Sequence, residues 1–496
     1  MKRSLFSDSL LIGLIFLIGI ALRLRQYLTL RSLWVDEAML ALNIVNRNFA
    51  ELFQPLDLNQ GAPIGFLLIE KFFNLLLGRH ELVLRFFPFL AGLAALWLFY
   101  LLLKQVGGKT SVLVALSLFA VNPQLVYYSS ESKQYIVDMA VTLALLVVAL
   151  PVFQPQASKR DYALLALAGI CALWLSHPAL FVLAGIGLAL LLQQLQKRDG
   201  PALRWIIGMG FLWLVNFILL YFINLRNLRG NPNLIEYWAG AFLPMPPTLN
   251  WLLSYFKENI QLQLGIQYFI WLALLIILAG WIMLYRESRS VALVFVYIAT
   301  FAVIASALHL YPLKGRLALF MLPLEIILLG KGVEFVQKKL TTPNLANNII
   351  TLALAVYVLY SPFLTSLQYF ITPKYFEHVR PYMDYLSASW KDGDVLFLSY
   401  WAEPVFRYYA PFYKLENITY TTNLYEDYSN PQQLETRFDA LIGKKRVWVL
   451  FSHVYEQDGF NERDFVVAYL DEIGHEIRQF RVPNSSVYLF LYDLSR

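Results

Sequence analysis

Runs of residues long and apolar enough to cross a bilayer recur eleven times in this 496-residue chain, and that repetition limits its fold more than any motif does. Backbone polar groups inside a bilayer must be satisfied within the protein, and runs of this length do so as helices. Spans are expected near residues 7–25, 82–103, 110–128, 133–151, 161–176, 178–195, 203–223, 265–285, 291–309, 317–336 and 347–366. Composition agrees: 58% of residues are hydrophobic and 15% charged, where soluble proteins carry about 25% charged residues. The 12 Trp, 30 Tyr and 36 Phe suit aromatic belts at the membrane surface. The net charge of +6 reads as loop Lys and Arg that set topology, not as a nucleic-acid surface.

The positions of those cations orient the chain. Lys2-Arg3, Lys104 and Lys109, Lys159-Arg160, Lys197-Arg198, Arg286 and Arg289, and Lys338-Lys339 fall at alternate ends of the spans. The positive-inside rule makes these ends cytoplasmic. The N-terminus is then inside the cell, in the inner or plasma membrane, and eleven spans carry the C-terminus outside. Met-Lys-Arg followed by an apolar run lacks a small-x-small cleavage site, so the first span is expected to be retained. On this topology one external face receives the loop with Asp36 and Glu37, the turn with Glu131 and Lys133, His177, the 224–264 loop, and Tyr311 to Arg316. The lone Cys171 lies in an apolar run and is expected in the core. The six His show no metal-ligand spacing, so no dedicated metal site is expected.

The fold class expected is an α-helical polytopic membrane protein with interfacial helices and a C-terminal soluble α/β domain. The membrane part is residues 1–366. Its first external loop, about 26–81, carries two short amphipathic segments, 37–49 and 63–77, that suit the interface. Residues 367–496 change character. Helices are expected at 376–390 and 463–473, buried strands at 395–399 and 446–451, and a hairpin over 475–482 and 486–493. Asn417-Ile-Thr419 and Asn484-Ser-Ser486 match glycosylation acceptors only formally.

Three clusters could carry chemistry. Asp36 and Glu37 follow the first span. A carboxylate there can take a proton from a water-soluble hydroxyl, although Asp36 could equally cap the helix that follows, with Val35 packed on Leu40. Side chains one residue apart on a helix diverge by about 100°, so Asp36 is the candidate base and Glu37 its support. The second cluster is Tyr128-Ser-Ser-Glu131-Ser-Lys133-Gln-Tyr135 with Asp138. A helix from about residue 131 would put Glu131, Tyr135 and Asp138 on one face, unless Asp138 is still solvated at the interface. The third is Tyr311-Pro-Leu-Lys314-Gly-Arg316, two external cations against the topological trend. They suit a phosphate clamp or a pair gripping lipid headgroups. Glu81 and Arg85, four apart, suit a local ion pair. A competing reading is a transporter or lipid flippase using Asp138, Glu325 and Asn216 along a pathway, but no inverted repeat is evident.

Several segments together resemble the GT-C glycosyltransferases, in the branch of bacterial relatives of dolichyl-phosphate-mannose protein mannosyltransferases and aminoarabinose transferases. They are Leu33-Trp-Val-Asp-Glu-Ala38; Gln60-Gly-Ala-Pro63 with Glu81-x-x-x-Arg85; Tyr128-Ser-x-Glu-x-Lys-x-Tyr135; and Tyr311-Pro-x-x-x-Arg316 followed by Pro323. Lys133 stands where Arg is usual. The resemblance implies a polyprenyl-phosphate-sugar donor and an extracytoplasmic acceptor hydroxyl on lipid, glycan or protein. It implies inversion, with Asp36 as general base and polyprenyl phosphate leaving. Lys133, Lys314 and Arg316 would bind the donor phosphate. Gln60, Glu131, Tyr135, Asp138 and Tyr311 would bind substrate. No cofactor is required, and a divalent ion at Asp36 and Glu37 is left open.

Overall fold

The computed structural model describes residues 2–339, 345–457, 459–483 and 485–495; Asn484 of the second formal acceptor lies outside them. Each of the eleven expected spans is helical over most of its length, and the chain is an integral membrane protein. Among the described residues seven helices are long and apolar enough to cross a membrane by length and composition.

Two compact units are present. One comprises residues 1–29 and 48–373; the other comprises 30–47 and 374–496. The helix that carries Asp36 and Glu37 therefore belongs with the C-terminal residues, an association that sequence order conceals.

In the first unit, local chemistry sets several helix ends. The third expected span, 110–128, is two helices, Lys109–Val121 and Pro123–Tyr128. Pro123 starts the second piece because a helix tolerates proline at its first position. Asn122 caps that piece by accepting from the amides of Gln124 and Leu125, both at 3.0 Å. Its Nδ2 donates to the Gln263 carbonyl at 2.8 Å. Ser158 and Asp161 form a reciprocal capping box at the head of Lys159–Leu175. Tight packing joins Ile270–Glu287 to Leu322–Lys339. A Cβ on Gly280 would stand 1.9 Å from the Leu328 carbonyl oxygen, and one on Gly332 would stand 2.0 Å from that of Ile276. At one end of this pair, buried Lys331 ion-pairs with Glu287, and Lys338 bonds Glu287 at 3.1 Å and Glu334 at 3.0 Å.

Cys171 corrects one expectation. It is exposed, on the same helix as exposed Leu164 and Leu167. Apolar neighbours in sequence signal burial in water-soluble chains, whereas the outer face of a spanning helix is apolar because lipid covers it.

In the second unit a five-stranded sheet has the order β2-β1-β3-β7-β6. The strands are β1 (Val395–Leu398), β2 (Tyr420–Thr422), β3 (Val447–Phe451), β6 (His475–Phe480) and β7 (Tyr488–Asp493). β4 (Glu456–Gln457) and β5 (Phe460–Asn461) form a separate antiparallel pair. β1 pairs in parallel with β2 and with β3, while β7 runs antiparallel to β3 and β6. Alternate residues Phe397, Val447, Val449, Phe451, Phe490 and Tyr492 join one core with Leu434 and Phe438 of helix Pro431–Asp439 and Val466 and Leu470 of helix Glu462–Ile473. The residues between them, Leu396, Leu398, Trp448, Leu450, Leu489 and Leu491, are buried as well, so the central strands are covered on both faces, as continuous apolar strands are.

Candidate active site

Asp36 and Glu37 lie in the first turn of helix Val35–Asn46, whose N-cap position is Trp34, with no side-chain cap from Trp34 itself. Asp36 is therefore two residues too far into the helix to be its N-cap. Glu377 does that work: its Oε2 accepts from the Val35 amide at 3.0 Å. Glu377 is held in turn by Ser452 Oγ at 3.1 Å and by His453 Nδ1 at 2.8 Å. The segment before the helix is stitched to the same unit. The Leu33 amide donates to Tyr409 Oη at 2.8 Å, and Ser32 Oγ bonds His378 Nδ1 at 3.1 Å. Glu37 is fully buried, while Asp36 is partly accessible, a difference that follows from their angular separation on the helix.

The remaining sequence-derived candidates belong to the first unit, and the structure brings most of them together. Lys133 Nζ donates to Gln60 Oε1 at 2.6 Å, and Gln134 Nε2 lies 3.4 Å from the Gly61 carbonyl. The guanidinium of Arg316 stands 5.4 Å from the ring centroids of both Tyr135 and Trp238. Tyr311 Oη donates to the Leu317 carbonyl at 3.0 Å, and its ring meets Phe181 edge-on at 5.2 Å. Burial raises the Tyr311 hydroxyl pKa well above its ordinary value, and the neighbouring Asp138 charge adds to the rise. Asp138 is buried, with Oδ1 accepting no hydrogen bond.

Two candidates are placed differently from the sequence expectation. The helix after the Tyr128 motif begins at Tyr135 instead of near 131, so Glu131 is not on its face with Tyr135 and Asp138. Ser129 Oγ and Ser130 Oγ bond the carbonyls of Leu125 and Tyr127. Such local side-chain bonds compete with helix. Glu131 is nonetheless buried, as is Lys133. Lys314 faces helix Leu249–Glu258, where its Nζ is 3.8 Å from Glu258, 3.4 Å from Ser254 Oγ and 5.2 Å from the Trp251 ring.

The structure also shows groups that sequence reading passed over. Glu70, on helix Ile64–Leu77, is fully buried with neither carboxylate oxygen hydrogen-bonded, and burial pushes its carboxyl pKa well up. The doublet Glu70-Lys71 inside an apolar helix was a readable signal. Trp238 and Glu377 carried none, because their roles depend on partners far along the chain. An apolar cleft beside Pro63, Ile64, Leu173, Leu180, Phe217 and Leu220 carries His177 and Asn224 on its wall. His177 Nε2 bonds Asn224 Oδ1 at 3.2 Å. Burial lowers the His177 pKa to about 4, against the raising effect of Asn224, which leaves a neutral imidazole. Among the described residues no group of three or more His, Cys, Asp or Glu side chains is gathered as a metal site.

Comparison with known proteins bears on the fold. Residues 61–222 match the family model described as dolichyl-phosphate-mannose-protein mannosyltransferase. No curated protein matches the sequence significantly. Among solved structures, apo ArnT from Cupriavidus metallidurans superposes with a TM-score of 0.55 at 13% identity, over 99% of this chain and 98% of that one. The same enzyme bound to undecaprenyl phosphate gives 0.53 at 13% identity, over 97% of each chain. The oligosaccharyltransferase AglB from Archaeoglobus fulgidus, in complex with an inhibitory peptide and a dolichol-phosphate, gives 0.54 at 13% identity, over 100% of this chain and 75% of that one. At such identities the superpositions establish a shared fold alone. By that fold, and by the family match over 61–222, the resemblance of this chain to the GT-C glycosyltransferases is borne out.

Proposed function

We propose that this protein is an integral membrane glycosyltransferase that moves a sugar from a polyprenyl-phosphate carrier to a hydroxyl on an extracytoplasmic acceptor. The observation that carries this reading is the convergence of Lys133, Gln60, Tyr135, Asp138, Tyr311 and Arg316 in one unit, within the fold shared with undecaprenyl-phosphate-bound ArnT. Arg316 is the principal donor-phosphate cation. Its fork can bond two phosphate oxygens, and the rings of Tyr135 and Trp238 lie 5.4 Å from it. Lys133, oriented by Gln60, and Lys314 add positive charge. Gln60, Glu131, Tyr135, Asp138 and Tyr311 line the donor.

Asp36 is the base. It takes the proton of the acceptor hydroxyl as that oxygen attacks the anomeric carbon from the face opposite the phosphate. The sugar–phosphate C–O bond breaks, the polyprenyl phosphate departs with the bonding electron pair, and the configuration inverts. A positioned base contributes about 10²–10⁴-fold, and preorganised cations stabilise the charge growing on phosphate. Glu37 supports Asp36 from the buried side of the helix. In this reading the N-terminus is cytoplasmic, and residues 367–496 form an external domain that serves the acceptor.

Two residues offered for a transport pathway are instead tied into the packing. Asn259 Nδ2 bonds both Glu325 oxygens at 2.8 Å. Asn216 accepts from Trp174 Nε1 and donates to the Ile170 carbonyl, both at 3.1 Å.

The test is Asp36→Asn assayed with a radiolabelled polyprenyl-phosphate sugar and membrane extract. Transfer should fall by about 10²-fold or more while insertion stays normal. Transfer at the wild-type rate would remove Asp36 from the mechanism.

A further inference from the structure

The parallel part of the C-terminal sheet has a topological switch point. From β1 the chain goes to β2 on one side and then returns to β3 on the other. Crevices beyond the carboxyl ends of strands at such points are where open α/β sheets bind ligands. Here those ends deliver Ser399, Tyr400 and Trp401 after β1, Asn423 after β2, and Ser452 and His453 after β3.

Aromatic rings crowd this position. Trp401 lies 5.8 Å from the His453 ring and 6.0 Å from Tyr425, and Tyr400 meets Trp401 at 4.9 Å. Trp34, two residues before Asp36, lies 6.2 Å from His453 on another side. Tyr425 is 45% exposed and the His453 side chain 45%, so the cluster is open to solvent. Polar groups accompany the rings: Glu377 bonded to His453, Asn423 bonded to the Tyr400 amide at 2.7 Å, and the fully buried Ser399 hydroxyl, which has no hydrogen-bonding partner among the described residues.

We propose that this crevice binds one sugar ring of a glycan acceptor, stacked on Trp401 with Tyr425, whose ring stands at 82° to it, as a side wall, beside the helix that presents Asp36. A pyranose offers one apolar C–H face to an aromatic ring and a rim of hydroxyls to carboxylate, amide and imidazole groups. The cluster supplies the rings and the half-exposed His453 imidazole, which buried Glu377 orients. A peptide added as a strand needs an unpaired sheet edge. β1 and β3 are paired on both sides, which leaves β2 and β6 as the sheet's edges; a peptide strand would add there and not between β1 and β3. The proposal rests on the glycosyltransferase reading and gives it an acceptor class.

The experiment uses full-length protein in amphipol, which carries no sugar headgroup. Saturation-transfer NMR is recorded with methyl α-mannoside, methyl α-glucoside, methyl α-galactoside and N-acetylglucosamine. At least one glycoside should receive saturation. The signal should drop at least about 5-fold in Trp401→Ala and in the exposed-site variant Tyr425→Ala, recover partly in Trp401→Phe, and persist in Arg316→Ala. No saturation of any glycoside, or equal saturation in both alanine variants, overturns the subsite. Binding of acceptor peptides but not glycosides would also overturn it. The transfer assay separates this from the parent reading. Wild-type transfer with unchanged acceptor KM in Trp401→Ala sinks the subsite alone. Sugar binding without transfer by wild type sinks the glycosyltransferase reading alone.

Discussion

Glu377 caps the helix that carries Asp36, its Oε2 accepting from the Val35 amide at 3.0 Å across 342 residues of sequence. The first four amides of any helix lack intrahelical partners, and a carboxylate also meets the positive end of the helix dipole. Asp36, two positions after the N-cap, is spared that structural duty.

Glu377→Ala should therefore loosen the start of this helix. A lost cap costs about 1 kcal/mol, and Ser452 and His453 lose their shared acceptor as well. Amide hydrogen exchange over residues 35–38 should quicken at least about 5-fold, and kcat should fall more than acceptor KM rises. Glu377→Gln, which keeps an oxygen acceptor, should recover part of both. Unchanged exchange at these amides would show that the cap does not hold the helix.

The helices at the expected span positions, the strands at 395–398 and 447–451 and the closing hairpin were legible, because period and length encode them directly. The attachment of 30–47 to the C-terminal unit was not. It depends on hydrogen bonds such as Leu33 to Tyr409 and Val35 to Glu377, which join positions more than 300 residues apart and leave no local pattern. The Tyr128 and Tyr311 motifs were visible as polar interruptions of apolar sequence. Their meeting through Arg316 and Tyr135, and the part played by Trp238, required the fold. Asn122-Pro123 was a readable break in a span, since proline after a capping residue restarts a helix.

Gly280 marks a close helix crossing, with the Leu328 carbonyl oxygen 1.9 Å from where a Cβ would lie. Gly280→Ala should destabilise the membrane unit by about 1–3 kcal/mol through overpacking against backbone. Gly208→Ala, where a Cβ meets nothing within 4 Å, should leave stability unchanged or raise it slightly. Thermal unfolding of both variants in one detergent decides the comparison. Equal midpoints would mean that the crossing can open at little cost.

Glu462 gives the second unit a pH dependence. Burial raises its pKa from 4.5 to about 7, against the lowering effects of hydrogen bonds from Tyr428 Oη and the Tyr455 amide and of the His453 charge. The folded state thus holds a proton that the unfolded chain releases above its ordinary pKa. Stability is greatest below pH 4.5 for this group and declines as pH rises towards 7, by roughly 3 kcal/mol at most. Glu462→Gln should flatten that decline. Exchange protection of the β3 and β7 amides, compared with wild type at pH 5 and pH 7, measures it. A wild-type advantage that grows with pH would have the wrong sign.

Arg316 lies between the two donor-side aromatic contacts, with the rings of Tyr135 and Trp238 each 5.4 Å away. Arg316→Ala removes both charge and fork and should raise donor KM about 10–100-fold, the cost of losing charge-assisted hydrogen bonds. Arg316→Lys keeps the charge and loses the planar fork, so its defect should be intermediate. Trp238→Ala leaves the cation but removes one ring, and a cation–π contact of about 0.5–2 kcal/mol predicts a loss of roughly 2–30-fold. Combining Trp238→Ala with Arg316→Ala should add little, because Trp238 acts on the donor through the guanidinium that the second change removes. Fully additive losses in the four-variant cycle would instead give Trp238 its own contact with the donor.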